Sequence, residues 1–291
     1  FTNVTADHTI SATFKPNVYE VWVDDNYTEE TEGWNITHFA KIQDGIDAVA
    51  PMGMGTVHVA AGSYTENVNV TKRVTLLGAG KDVVTVTGAV SSEKVFNVTA
   101  SSVNISGFTV SNAGYGIYLA LVNNCNISDN NVSNNRIGIY LALSSDNTLS
   151  SNIILKNTSA GIYLDDSSDN TLSSNIISEN NAGDYSAGIY LCHVDSDNNV
   201  ITANTISGND IGIWFDSGCS GNTVHCNKIT GNSSYGVENK ASNPILDATC
   251  NWWGNPAGPS HDSVTAGDKV SANVDYDPYC TDESCSGCTI P

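Results

Sequence analysis

Asp165 and Asp166 form the one adjacent acid pair in the repeated part of this chain. Two carboxylates facing a sugar across a strand surface are the equipment of a glycoside hydrolase. A polysaccharide lyase needs Asp residues around a cation and an Arg or Lys base. The repeats hold one Arg, Arg136, and no His or basic residue recurs at a matching position. No catalytic residue is therefore assigned, and the chain is read as a non-enzyme. Asp146 and Asp169 occupy the same corner of successive repeats, with Asp197 nearby. Like charges at that spacing repel, and Ca²⁺ would relieve the repulsion. A solvated acidic face accounts for the same residues. Ca²⁺ is the one cofactor considered.

The second chemical feature is a column of rings. The word GIYL begins at Gly116, Gly138, Gly161 and Gly188, and Gly212–Phe215 reads GIWF. Ile and Leu of each copy should point inward, so Tyr118, Tyr140, Tyr163, Tyr190 and Trp214 should form an outward ladder. Such a stripe suits strand packing, sugar stacking or contact with another subunit.

Eight cysteines imply oxidising surroundings. Cys226 and Cys250 both precede a corner Asn, one repeat apart. Their Cα atoms should lie about 5 Å apart, so a disulfide is expected there. Cys192 and Cys219 are a second candidate pair. Cys280, Cys285 and Cys288 crowd the tail, and these three with Cys125 either bond between subunits or fold back within one. About ten N-x-S/T sequons point the same way, to a secreted protein. Strand parity puts Asn69, Asn97, Asn104, Asn126 and Asn131 outward, where they can carry glycans. Asn157 and Asn232 belong to an inward column and cannot.

The elements that must position these residues are read from the period. Copies recur every ~22–24 residues, a solenoid length. One apolar column is Ile105, Ile127, Leu149, Leu172, Ile201 and Val224; another is Val110, Val132, Ile154, Ile177, Ile206 and Ile229. Apolar and polar residues alternate within each short segment, which is the strand signal. Asn columns run alongside: Asn130, Asn152, Asn175, Asn204, Asn227 and Asn251 make one, and Asn135, Asn157, Asn180, Asn209 and Asn232 another. A third holds Asn147, Asn170, Asn199 and Asn222. Asn tolerates left-handed corners, and its amide can bond up a column. The expected fold is all-β, a right-handed parallel β-helix with coils about 4.8 Å apart.

Residues Val18 to Pro278 resemble the parallel β-helix repeats of the pectin-lyase-like superfamily. In particular they are similar to NosD-type repeats, common in archaeal and especially methanogen surface proteins. The segments carrying this are VWVDDNYTEETEGWNITHFAKIQDGIDAV, GTVHVAAGSYTENVNVTKRVTLLGAG, the GIYL coils and the NWWG stretch from Asn251. The resemblance implies an N-terminal cap, placed as a helix over residues 37–50 with Thr37 as N-cap and Phe39, Ile42, Ile46 and Val49 inward. It does not choose a function, because the fold hosts lyases, hydrolases, adhesins and structural proteins. The copper that the NosD name suggests finds two Met and scattered His.

Three regions follow. Residues 1–16 read as an orphan strand from a preceding surface repeat, able to pair with a neighbouring subunit. Residues 17–250 form the β-helix with its cap. Residues 251–291 form a loop-rich cap and Cys-rich tail. A start at Phe1 without Met fits a processed product or a piece of a longer chain. The net charge of −20, with 11 Lys+Arg against 31 Asp+Glu, gives no footprint for nucleic acid. No apolar run approaches a membrane span. The preferred reading is an extracellular structural protein of the cell surface. It would be a self-assembling subunit of a sheath, S-layer or filament, with copies of itself as partners. A carbohydrate-binding or adhesive module acting on surface glycans is the alternative, and a polysaccharide lyase or hydrolase is third.

Overall fold

The computed structural model describes residues 18–50, 54–181, 183, 186–193, 195–241, 245–261 and 265–290. The expected strand over residues 1–16 lies outside them. Short strands wind through three parallel sheets of twelve, eight and eight strands. The first runs from His38–Phe39 and Glu20–Val23 to Leu246–Asp247 and Val274–Asp275; the second spans Gly62–Thr65 to Lys228–Thr230, and the third Val68–Val70 to Tyr235–Asn239. This is an all-β parallel solenoid of about eight turns. No described helix is long and apolar enough to cross a membrane.

Registration follows the columns read from the sequence. Ile105 pairs with Ile127, Ile127 with Leu149 and Leu149 with Leu172, every member fully buried. Each such side chain contributes about 1.5–3 kcal/mol on burial.

The Asn columns also run inside, but they do not make the left-handed corners. Positive φ falls on the residue just before each ladder Asn: Asp129, Ser151, Ser174, Ala203 and Cys226 precede Asn130, Asn152, Asn175, Asn204 and Asn227. The Asn itself turns inward and holds coil to coil. The N–H and Nδ2 of Asn152 both donate to Asn175 Oδ1 at 3.0 Å, while Nδ2 also reaches the Ile127 carbonyl at 2.8 Å. Burial without these partners would cost more than the bonds return. The ladder of Asn135 ends at Asn232, whose N–H and Nδ2 donate to Asp268 Oδ2 at 2.9 and 2.7 Å.

The glycine of GIYL is explained by close approach. A Cβ at Gly116 would lie 2.6 Å from the Gly138 carbonyl oxygen, and one at Gly161 would lie 2.6 Å from that of Gly188. No side chain fits between these backbones.

The capping helix is shorter than expected. α1 spans Ile42–Ala48, because His38–Phe39 pairs as a strand with Trp22–Val23. Lys41, not Thr37, is the N-cap residue, and it makes no side-chain cap bond. Glu66 caps the helix from the next coil, accepting from the Ile42 and Gln43 N–H groups at 2.9 and 3.1 Å. Phe39, Ile42, Ile46 and Val49 are buried as expected. A Cβ on Gly45 would meet Val23 at 2.8 Å, so Gly allows the helix to lie on the first coil.

The expected Cys226–Cys250 bond is not formed. Their coils are adjacent, since Cys226 N–H donates to the Cys250 carbonyl at 2.9 Å. Cys226 is exposed and free, whereas buried Cys250 turns to the tail and bonds Cys288. Cys280 bonds Cys285, so the tail folds back within the molecule. Cys192 and Cys219 do not pair either. Cys219 belongs to the interior core, its thiol against the Leu191 and His193 carbonyls, and Cys192 to a separate small cluster with Tyr190. Cys125 is free and buried.

Candidate functional site

The aromatic column runs along the third sheet. Tyr118, Tyr140, Tyr163, Tyr190 and Trp214 are in register on Tyr115–Ala120, Ile137–Ala142, Ile162–Asp165, Ala187–Cys192 and Ile211–Phe215. All lie on the outer face, but Tyr190 is only 4% exposed. The rings spend their faces on one another. Tyr140 stacks on Tyr163 at 4.7 Å, Tyr163 on Tyr190 at 5.0 Å, and Tyr190 meets Trp214 at 4.6 Å. Tyr118 meets Tyr140 edge-on at 5.1 Å. Ammonium groups cover the ends: Lys94 lies over Tyr118 at 5.1 Å and Lys240 over Trp214 at 4.1 Å.

The phenols are tied as well. Tyr140 donates to Asp165, and Tyr190 to Asp216 Oδ2 at 3.1 Å. The Cys192 thiol donates to the Tyr163 hydroxyl at 3.1 Å. Burial first, then the Asp165 bond, pushes the Tyr140 phenol up; burial, then the Cys192 contact, does so for Tyr163. Neither ionises in the physiological range.

Beside the column the structure assembles a group that the repeat alignment missed. Ala142, Asp165 and Cys192 are in register on successive coils. Asp165 and Cys192 thus replace alanine at one outward position. His193 follows Cys192 with φ of 62°, the left-handed corner that Leu121, Leu143 and Asp166 take on the preceding coils. Its Nδ1 bonds Asp165 Oδ1 and lies 3.2 Å from Cys192 Sγ, which is 3.5 Å from the same carboxylate oxygen. The Asp165 bond and charge raise the His193 pKa, against burial. The Cys192 thiol is pushed up to about 12, chiefly by burial and then, against its bond to Tyr163, by the Asp165 charge. A thiol so raised is a poor nucleophile. Asp165 and Cys192 also address the same imidazole nitrogen, so no acid–base relay runs through the ring.

The missed signal lay in spacing. Asp165 to Cys192 is a step of 27 residues, but Ser167 to Ser196 is a step of 29. Two extra residues therefore lie between Cys192 and Ser196, in the corner where His193 meets Asp165.

The expected cation set does not converge. Among the described residues, the metal-capable group with ligand atoms within 4.8 Å of one another is Asp165, Cys192 and His193, not Asp146, Asp169 and Asp197. Asp146 and Asp169 are exposed left-handed corner residues. The next corner residue in that column is Asn198, so Asp197 is one position out of step. Its carboxylate accepts from the Ser220 N–H at 2.5 Å.

The sequons fall in two groups. Asn69 and Asn126 are exposed, and Asn97, Asn104 and Asn131 half-buried. Asn157 and Asn232 are buried. Asn157 Nδ2, the atom a glycan would need, donates to the Val132 carbonyl at 3.2 Å and Asn180 Oδ1 at 3.0 Å.

Among solved structures, the mannuronan C-5 epimerase AlgE4 A-module of Azotobacter vinelandii is similar in fold. The TM-score is 0.51 at 18% identity, covering 72% of this chain and 71% of that one. Pectin methylesterase from carrot aligns with a TM-score of 0.50 at 15% identity, over 94% of this chain and 89% of that one. A cell surface glycoprotein of Methanothermus fervidus is 38% identical over 82 residues, which is 28% of this chain and 13% of that relative. The family described as periplasmic copper-binding protein (NosD) matches residues 55–259, more than half of the chain, and the protein is a member of the NosD family.

Proposed function

We propose that this chain is a non-enzymatic structural protein of the cell surface, a β-helical subunit of a sheath, S-layer or filament. The observation that carries this reading is the closed aromatic column. A sugar ring stacks on an open aromatic face, and Tyr163 has both faces covered by Tyr140 and Tyr190. The end rings carry Lys94 and Lys240. The column therefore supports rigidity more than glycan capture. The tail disulfides and outward sequons fit an extracellular setting. The local likeness to a cell surface glycoprotein supports the same setting.

The family description names copper. A copper(I) site wants several soft donors. The converging set offers one thiol, one imidazole and one carboxylate, and Met54 stands apart near the first coil. These residues do not fit a soft-donor copper(I) site, and no role is derived through one.

Electron microscopy of the native surface and of the purified chain tests the reading. Ordered arrays or filaments are expected. Unassembled monomer in the native material would overturn it. A glycan array should show no binding that depends on Tyr163; loss of a real glycan signal in Tyr163→Ala would favour the carbohydrate-binding alternative instead.

A further inference from the structure

We propose that Asp165, Cys192 and His193 form a binding site for a borderline divalent cation of the zinc class.

Three donors of different kinds meet there, with ligand atoms within 4.8 Å of one another. A tetrahedral zinc ion with ordinary bond lengths sets its sulfur–nitrogen and sulfur–oxygen edges near ~3.5 Å. The Cys192 Sγ lies 3.2 Å from His193 Nδ1 and 3.5 Å from Asp165 Oδ1, close to those edges. The third edge is now a direct His193–Asp165 hydrogen bond and must open to admit the ion. The mobile member of that edge is the exposed His193 side chain, since Asp165 and Cys192 are fixed in register on adjacent strands. Metal binding gives up that hydrogen bond and the thiol's donation to Tyr163, and gains three metal bonds.

Donor chemistry sets the class of ion. Ca²⁺ and Mg²⁺ take oxygen ligands and gain nothing from a thiol. A thiolate with an imidazole and a carboxylate suits Zn²⁺ or Co²⁺. Three protein ligands leave a fourth position, which opens to solvent on the exposed His193 side.

The surroundings favour a cation. Asp166 and Asp216 add negative charge around His193. A bound divalent ion would compensate that charge, with the thiol proton released to solvent. Apparent affinity should therefore rise with pH.

The test uses the full chain with its disulfides intact and a Cys226→Ser change, which removes the exposed free thiol. Chelator-treated protein is titrated with Co²⁺. The expected result is a thiolate-to-Co²⁺ charge-transfer band saturating at one equivalent, displaced by Zn²⁺, with a Zn²⁺-dependent rise in Tm. Cys192→Ser should abolish the band. His193→Ala alters an exposed side chain, keeps the fold, and should weaken binding by roughly ten-fold or more. No band from the folded chain at one equivalent would overturn the site. So would a band unchanged in His193→Ala, or one that persists in Cys192→Ser and so belongs to Cys125 or Cys219.

Discussion

At the scale of single residues, neighbours in sequence carry different duties. Asn180 is buried and accepts from the Asn157 N–H and Nδ2 at 3.0 Å each, while donating to the Ile154 carbonyl at 3.2 Å. Asn180→Ala strands several of those groups and should cost about 2–4 kcal/mol in denaturant unfolding. Ala203, just before a ladder Asn, holds a φ of 55° that suits glycine better. Ala203→Gly should raise stability by up to about 1 kcal/mol. The ladder columns were legible because the repeat aligns them; the left-handed position was assigned one residue late because Asn fits both duties by type. Only the backbone separates them. Asp247 gives a residue-scale pH effect. Burial raises its pKa, but bonds from His225 and Thr249 together hold it below the usual carboxylate value. Its stabilising contribution is therefore present above the unfolded carboxylate range and is lost as pH falls through the depressed folded value. The Tm difference between wild type and Asp247→Asn should shrink on acidification below about pH 4. A difference constant from pH 7 to pH 2 would contradict this.

At the scale of elements, α1 depends on a residue outside itself. Glu66 supplies its cap from the neighbouring coil, and burial raises the Glu66 pKa against the pull of the Ile42 and Gln43 amides. Glu66→Ala should cost about 1–2 kcal/mol. Hydrogen exchange should speed over Ile42–Ala48 and leave the central coils unchanged. The buried face of this helix was readable from its apolar spacing. Its start was not, because His38–Phe39 joins a strand whose partner lies elsewhere in the sequence. The same limit hid the Asp165, Cys192 and His193 group. Counting by whole repeats places Cys192 over Asp165 and shows extra residues before Ser196, but it does not show that the His193 side chain turns to Asp165.

At the scale of the whole molecule, the tail is attached in a way that repeat reasoning could not find, since Cys280, Cys285 and Cys288 lie beyond the last regular column. The Cys250–Cys288 bond closes a separation of 38 residues, worth about 4 kcal/mol in the chain-entropy limit. Reduction should free the tail while the coils persist. Limited proteolysis under reducing conditions should cut first beyond Cys250 and leave a resistant fragment. Equal digestion of coils and tail would show that the bonds support the entire solenoid.

The Asn ladders also give the molecule an electrical direction. Every link points the same way, with amide hydrogens donating toward the C-terminal coils. A column of aligned amides adds head to tail as peptide units do in an α-helix. Its C-terminal end is therefore the positive pole, and there the Asp268 carboxylate receives the last hydrogens from Gly231 and Asn232. At the other pole, Asn135 Oδ1 takes a neutral backbone N–H from Ala113. Repeating coils lengthens the dipole without changing either terminus. Two such rods side by side would attract when antiparallel and repel when parallel, a bias set by amides that no solvent reaches.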